Sequence, residues 1–338
     1  MDGCLSGSES RTTQASAVLL VVLGEIDLVA SVHPKVSIGL PVYNGETYLR
    51  QAIDSILQQT FTDFELIISD NASVDGTASI CLEYARRDSR IRCIRQRQNL
   101  GAAENFNLLF RRARGEYFKW AAYDDVLDST FLEKCVHILE EDPSVVLAYT
   151  QATRIDMHGN QTGTYDYPMR VSAPQPHVRF ADFILVNHFC IAIFGVIRRC
   201  VLAKTPLIGK YVGSDRTLLA ELSLRGRLVE VPEYLFHRRD HPAASTRRFR
   251  HYQRLEWFDP HKQRHLHLPY WQNGLQHICA VTRAPLSSQE KLLCLGVALR
   301  WFWARRAVLL EDFKGVAVRM LPFVVHTHKK TKQLRSQR

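Results

Sequence analysis

The sequence predicts an α/β fold, a mostly parallel sheet flanked by helices, with a helical C-terminal segment. Three observations predict it. Short β-rich runs alternate with helix-periodic stretches between Val36 and Trp120, the order that builds right-handed βαβ crossovers. The runs are apolar enough to be covered on both faces, as central strands of a parallel sheet are. Each crossover also begins in a polar loop, and such loops collect along the carboxyl rim where open α/β sheets bind ligands.

The first strand is Val36–Leu40, broken by Pro41 and then by Asn44-Gly45. Leu49, Ala52, Ile53, Ile56 and Leu57 recur at helical spacing behind it, with Asn44 available as a cap. Phe64–Ser69 is a second strand, ending in the polar loop Asp70-Asn71-Ala72-Ser73. A helix follows to about Arg87, with Ile80, Cys81, Tyr84 and Ala85 on one side. The strand Ile91–Ile94 leads through Asn99-Leu100-Gly101 into a helix marked by Ala102, Phe106, Leu109, Phe110 and Ala113. Tyr117–Tyr123 is then a buried run that delivers Asp124 and Asp125 into a loop. Paired carboxylates there suit a divalent cation, but Asp124, Asp125 or Asp128 would equally cap the helix starting near Ser129-Thr130-Phe131. The convergence of Pro41–Asn44, Asp70 and Asp124-Asp125 on one rim favours a binding site.

Beyond Pro143 the pattern loosens. Val145–Tyr149 is a strand, Asp156–Asn160 a hairpin turn, and Tyr165–Pro176 loop-like, so this half is expected to shape an acceptor pocket. Asp215 precedes the helix face Leu218, Leu219, Leu222 and Leu224, where a capping role is the simpler one. The strand Leu228–Val231 follows Gly226.

With 46% hydrophobic residues the 338-residue chain can bury a sizeable core, and its net charge of +10 favours an anionic partner such as a nucleotide diphosphate, an anionic membrane face or nucleic acid. The eight cysteines show neither zinc spacing nor a disulfide framework, which suits small core residues in a reducing compartment. The apolar stretch Ala17–Gly24 is too short to span a bilayer, and residues 1–33 read as an extension outside the fold.

Taken in order, Val36–Glu46, Ser55–Thr60, Glu65 through Asp75-Gly76-Thr77, Asn99-Leu100-Gly101, Gly115-Glu116-Tyr117 and Asp124-Asp125 resemble the inverting family 2 glycosyltransferases of GT-A fold. The resemblance covers about residues 35–245. It implies a nucleotide-binding half at 34–143, an acceptor half at 144–245 and a separate helical region at 246–338. It also implies that Pro41, Val42, Tyr43 and Glu46 hold the base and ribose, and that Asp70 hydrogen-bonds the pyrimidine ring. Asp125 is then the direct ligand of Mn2+ or Mg2+, and Asp124 a ribose or water-mediated contact. Gly213–Leu219 is similar to the family's later acidic motif, which makes Asp215 the catalytic base, although Ser214 stands where an acid is usual. Arg238-Arg239-Asp240-His241 resembles the loop that closes on the diphosphate, with Arg239 as a phosphate partner and His241 either a ligand or, by preference, a solvated loop residue.

The resemblance implies a metal-dependent, hexosyltransferase-like transfer from a UDP- or dTDP-sugar to a carbohydrate or lipid-linked acceptor, with inversion, in polysaccharide biosynthesis. A cytoplasmic location, with peripheral contact to the inner membrane face, accompanies that reading. Two rival classes have their own signatures. A nucleotidyltransferase would carry a Gly-rich, basic loop after the first strand, where this chain has Pro41-Val42-Tyr43-Asn44. A nucleic-acid binder would carry a recognised binding motif, whereas basic residues here are dispersed. A sugar-nucleotide binder without transfer activity would lack the carboxylates. Downstream of Leu286, Leu292, Leu299, Trp301, Phe302 and Trp303 interleave with Arg300, Arg305 and Arg306, which suits either a membrane-interface helix or, by slight preference, one packed back on the domain. The terminal lysines and arginines read as a solvated tail, with attraction to anionic lipid as the functional option.

Overall fold

The structure, a computed structural model, describes residues 33–244, 257–258 and 268–312. The expected N-terminal extension lies almost wholly outside these residues, and the basic tail lies outside them. In chain order the elements are β1 (Val36–Val42), α1 (Leu49–Leu57), β2 (Phe64–Asp70), α2 (Thr77–Arg87), β3 (Ile91–Arg95), α3 (Ala102–Arg112) and β4 (Tyr117–Trp120). Next come β5 (Val126–Leu127), α4 (Phe131–Glu141), β6 (Val145–Ile155), β7 (Gln161–Tyr165), α5 (Pro176–Leu185), β8 (Val196–Arg198) and α6 (Arg199–Leu202). The last are α7 (Ser214–Arg225), β9 (Arg227–Arg239), α8 (Pro269–Arg283) and α9 (Ser288–Ala304).

The strands form one sheet in the order β3-β2-β1-β4-β8-β6-β9-β5, with β7 added beside β6. The first four of these are mutually parallel, so the carboxyl ends of β1, β2 and β4 share a rim. β8 is inserted antiparallel between β4 and β6, and β9 returns parallel to β6. The period-two pattern explains the layers. Val36, Ile38, Leu40 and Val42 face the core beneath α1 and α2, while Ile67, Phe118 and Trp120 point into the other core with α3. Gly39 lets α3 close on β1, because a Cβ there would lie 2.8 Å from the Leu109 Cβ. Buried Ser37 donates to Glu65 at 2.6 Å, and so brings a carboxylate under the Arg114-Gly115 turn.

Several boundaries move. β1 runs through Pro41 to Val42, β6 extends to Ile155, and β9 extends to Arg239, so Arg238 and Arg239 stand on a strand instead of a closing loop. Pairing explains the extension, since β9 pairs with β6 from Arg227 to Arg239, across three register shifts. None of the expected caps forms. Helix α1 is preceded by Tyr48, α4 by Thr130 and α7 by Gly213, and none of the three supplies a side-chain cap. Gly213 sits at φ 86, a left-handed turn that glycine tolerates.

The C-terminal helices pack on the domain. Cys294, Ala298 and Trp301 of α9 and Ala280 and Val281 of α8 join the core that contains Phe180, Phe183 and Leu219. His277 is buried there, with ring centroids 6.1 Å from Phe180 and 5.3 Å from Trp301. Burial, and next the Arg216 charge, push its imidazole down to about 3. The unfolded chain takes up that proton below about pH 6.5 and the folded one does not. Stability from this group is therefore whole above that pH and erodes as pH falls, by about 2 kcal/mol at pH 5. His277→Phe is expected to lose less stability between pH 7.5 and pH 5 than the parent, read by urea melts at both pH values. Equal losses in the two proteins would contradict it.

Candidate active site

Two loops at the rim brace each other. The Asn44 and Gly45 amides donate to the Ser73 and Thr77 hydroxyls at 2.9 Å each. Asn44 Oδ1 accepts from the Val74 amide at 3.0 Å, so this side chain ties the loops together instead of capping α1. The Glu46 amide donates to Asp75 at 3.2 Å, and the Gly76 amide donates back to the Glu46 carboxylate. Asn44 and Ala72 hold positive φ, 52 and 63, backbone cost that this cross-bracing offsets. Pro41 and Val42 are buried at the end of β1, and Tyr43 is exposed beside them.

Asp70 pairs across the sheet with Val42, which sets it beside the first loop. Its Oδ1 accepts from the Ser73 amide at 2.9 Å. Its Oδ2 lies 3.4 Å from Arg95 Nε but is buried without a hydrogen-bond donor. A buried acceptor left in that state costs free energy that a ligand N–H would recover.

The acidic loop after β4 is held from beneath and from the side. Arg239 is buried, and its amide donates to Asp125 Oδ1 at 2.8 Å. Its guanidinium donates to the Asp124 carbonyl at 2.9 Å, to the Asp156 carbonyl at 3.1 Å and to Gln51 Oε1 at 2.8 Å, and it lies 4.7 Å from the Tyr48 ring centroid. The expected phosphate partner therefore anchors the loop, because strand β9 carries it inward. Arg238 donates to the Tyr165 hydroxyl at 2.7 Å. His241 is also not a solvated residue: it is buried, its ring tilted against Tyr48 with centroids 4.7 Å apart, and its Nε2 lies 2.9 Å from Asp124 Oδ2.

Burial, and next the neighbouring Asp124 charge, push the Asp125 carboxyl up to about 8. Lys119, one strand turn below, is fully buried and donates to the Phe194 carbonyl. Burial lowers its ammonium to about 7, with Cys135 and Asp125 opposing. Lys119 and Asp125 line the same cavity of about 10 Å3, room for about one water. Gln59 fastens the far end of the loop, donating to the Asp128 carbonyl at 2.7 Å and accepting from the Leu132 amide at 2.9 Å. Lys119, Gln51 and Tyr48 carry no motif of their own. A lysine inside an apolar strand was the one available signal among them.

Asp215 occupies the first turn of α7, with Oδ1 accepting from the Arg216 amide at 2.8 Å. Arg216 locks that turn to the segment after α5, donating to the Phe183 and His188 carbonyls at 3.0 and 2.6 Å. The acceptor half also encloses a cavity of about 20 Å3 lined by Tyr149, Tyr165, Tyr167, His188 and Glu230. That is far below the volume of a sugar site.

Among the described residues no group of three or more His, Cys, Asp or Glu side chains is arranged to hold a metal ion. The donor set nevertheless fits one in part. Asp124 Oδ2 and His241 Nε2 are hydrogen-bonded to each other at 2.9 Å, a bond an ion would displace, and ions such as Mg2+ are commonly held by one or two carboxylates with substrate phosphates completing the shell. Asp125 is turned inward onto the Arg239 amide. Of the two carboxylates, Asp124 is hydrogen-bonded to His241 and Asp125 to the Arg239 amide.

A mostly parallel sheet whose carboxyl rim gathers a cross-braced loop pair, a buried aspartate and an acidic turn defines an α/β protein of GT-A type. The chain belongs to glycosyl transferase family 2, whose pattern matches residues 37–205. It is similar to the chondroitin synthase of Escherichia coli, 35% identical over 137 residues, a stretch that is 40% of this chain and only 20% of that protein. The fold is similar to that of S. aureus TarS in complex with UDP, with TM-score 0.59 and 16% identity over 80% of this chain and 72% of the other. It is also similar to the mannosyltransferase PcManGT of Pyrobaculum calidifontis in complex with GDP-Man and Mn2+, with TM-score 0.50 and 16% identity over 94% and 92% of the two chains.

Proposed function

We propose that this protein transfers a sugar from a nucleotide-diphosphate donor, UDP- or dTDP-linked, to an acceptor hydroxyl with inversion, in glycan assembly. The observation that carries the reading is the rim itself, where the buried Oδ2 of Asp70, with no hydrogen-bond donor and an ion pair to Arg95 at 3.4 Å, and the Asp124–His241 pair stand on neighbouring loops of a family 2 chain. Asp70 would accept from the N–H of a pyrimidine ring. Pro41, Val42 and Tyr43 would line the base and ribose, with Glu46 keeping the loop in shape through Gly76. Asp124 and His241 would hold Mn2+ or Mg2+, with Asp125 behind them. When bound, the ion supplies positive charge that offsets the charge growing on the departing diphosphate.

Asp215 would take the proton of the acceptor hydroxyl as its oxygen attacks the anomeric carbon. With one base and no enzyme nucleophile in this assignment, direct displacement inverts the centre. The acceptor is a carbohydrate or a lipid-linked saccharide. A thermal-shift panel of UDP-, dTDP- and GDP-sugars with and without Mn2+ tests the donor half of this reading. Stabilisation by UDP- or dTDP-sugars that needs Mn2+ is expected. A GDP-sugar preference would overturn the role given to Asp70, and no shift with any donor would overturn the proposal.

A further inference from the structure

Helix α9 has one face seated on the domain and another that is apolar yet uncovered. Cys294, Ala298 and Trp301 point into the core, as does Leu309 beyond the turn at Arg305. Leu292, Leu299, Trp303 and Leu310 are 71, 66, 71 and 61% exposed. Spacings of seven and four residues place Leu292, Leu299 and Trp303 on one stripe of α9, and Leu310 lies seven residues further on, past the turn at Arg305. Gly296 lies on that stripe with open space before it. Isolated exposed leucines need no explanation, but an aligned set of large apolar side chains marks an interaction surface.

The surroundings of the stripe indicate what covers it. Arg300 and Arg306 are exposed on either side. The Arg306 guanidinium lies 4.8 Å from the Trp303 ring centroid and donates to the Trp303 carbonyl at 3.0 Å. An indole beside an arginine head is the arrangement favoured at the headgroup level of a bilayer. Exposed Glu311 and half-buried Asp312 follow Leu310, but from residue 313 to residue 338 every charged side chain is Lys or Arg, so the charge beyond the stripe is basic. No described helix is long and apolar enough to cross a membrane.

We propose that the Leu292–Leu299–Trp303–Leu310 face of the C-terminal helices is a docking surface for an anionic lipid bilayer. The helix lies in the interface plane, its apolar side chains enter the acyl boundary and its arginines stay with the lipid phosphates. Because the opposite face is already packed, docking requires no rearrangement of the domain. The surface goes beyond the transfer chemistry and does not depend on it.

Co-sedimentation of the full chain with phosphatidylcholine vesicles, with and without about 30% phosphatidylserine, tests this. Binding to the anionic vesicles is expected, with at least about a tenfold weaker partition coefficient for the double variant L299E/W303E and a clear loss for R300E/R306E. All four positions are exposed, so both variants should keep the parental melting temperature and the parental nucleotide-induced shift. Those two readouts separate failure of the surface from failure of the donor assignment. Undiminished binding of L299E/W303E, or no binding by the parent, overturns the proposal. So does a parental dimer in sedimentation equilibrium that L299E/W303E dissolves, since a second copy would then be the occupant.

Discussion

Asp215→Asn is expected to lower turnover by at least about a hundredfold while nucleotide-sugar binding stays within a few-fold of the parent. The substitution keeps the shape of the side chain and the oxygen that accepts from the Arg216 amide at 2.8 Å. The first turn of α7 and its Arg216 clamp onto the Phe183 and His188 carbonyls should therefore survive. What disappears is a carboxylate able to accept a proton. If the base assignment is right, the loss falls on turnover and not on the donor affinity, because the donor is held at the other loops. Single-turnover transfer measured beside calorimetric UDP binding checks both halves. Parental turnover in the variant would sink the role of Asp215, and a parallel loss of binding would point to a structural one.

The second large effect concerns the acidic turn. Asp124→Asn is expected to abolish most of the metal-dependent gain in nucleotide affinity, about a hundredfold, and to leave metal-free binding nearly unchanged. Asp125→Asn is expected to lose less affinity and to raise the melting temperature of the ligand-free protein. Its carboxyl is held well above the usual range by burial first and by Asp124 second, so replacing it with a neutral amide relieves a destabilised charge. Stability gained at the expense of function is a common signature of strained sites. Titrations of UDP into each variant with Mn2+ and with chelator provide the measurement. A greater loss in Asp125→Asn than in Asp124→Asn would restore the division of roles first expected from the sequence.

Local pattern made the first half of this protein legible. The alternation of apolar runs and helical spacing from Val36 to Trp120 corresponds to β1 through β4 in the structure, since each strand and helix there is encoded within a few turns of its own residues. The placement of Asp70 and the Asp124-Asp125 loop at the carboxyl rim followed from the same order, because parallel crossovers leave little choice of edge. The ordered motifs also indicated the family to which residues 37–205 belong.

Tertiary structure decided the partners. Arg239 and His241 look like loop cations when read along the chain. Pairing of β9 with β6 over 227–239 carries the first inward and sets the second against Tyr48 and Asp124. Asn44 and Asp215 look like caps, yet their hydrogen bonds go to Val74 across the loop pair and to the adjacent Arg216 amide. Lys119 sits in an apolar strand, and only the packing of Phe131, Phe236 and the Phe194 carbonyl around it shows how its charge is accommodated. In every case the determining contact comes from residues tens of positions away or from backbone geometry. From Val36 to Trp120 the sequence by itself determined which elements form and which rim they serve, because propensity and periodicity act locally, whereas β7, α5 and β8 had no such signal. Which side chain meets which was decided by long-range register and burial.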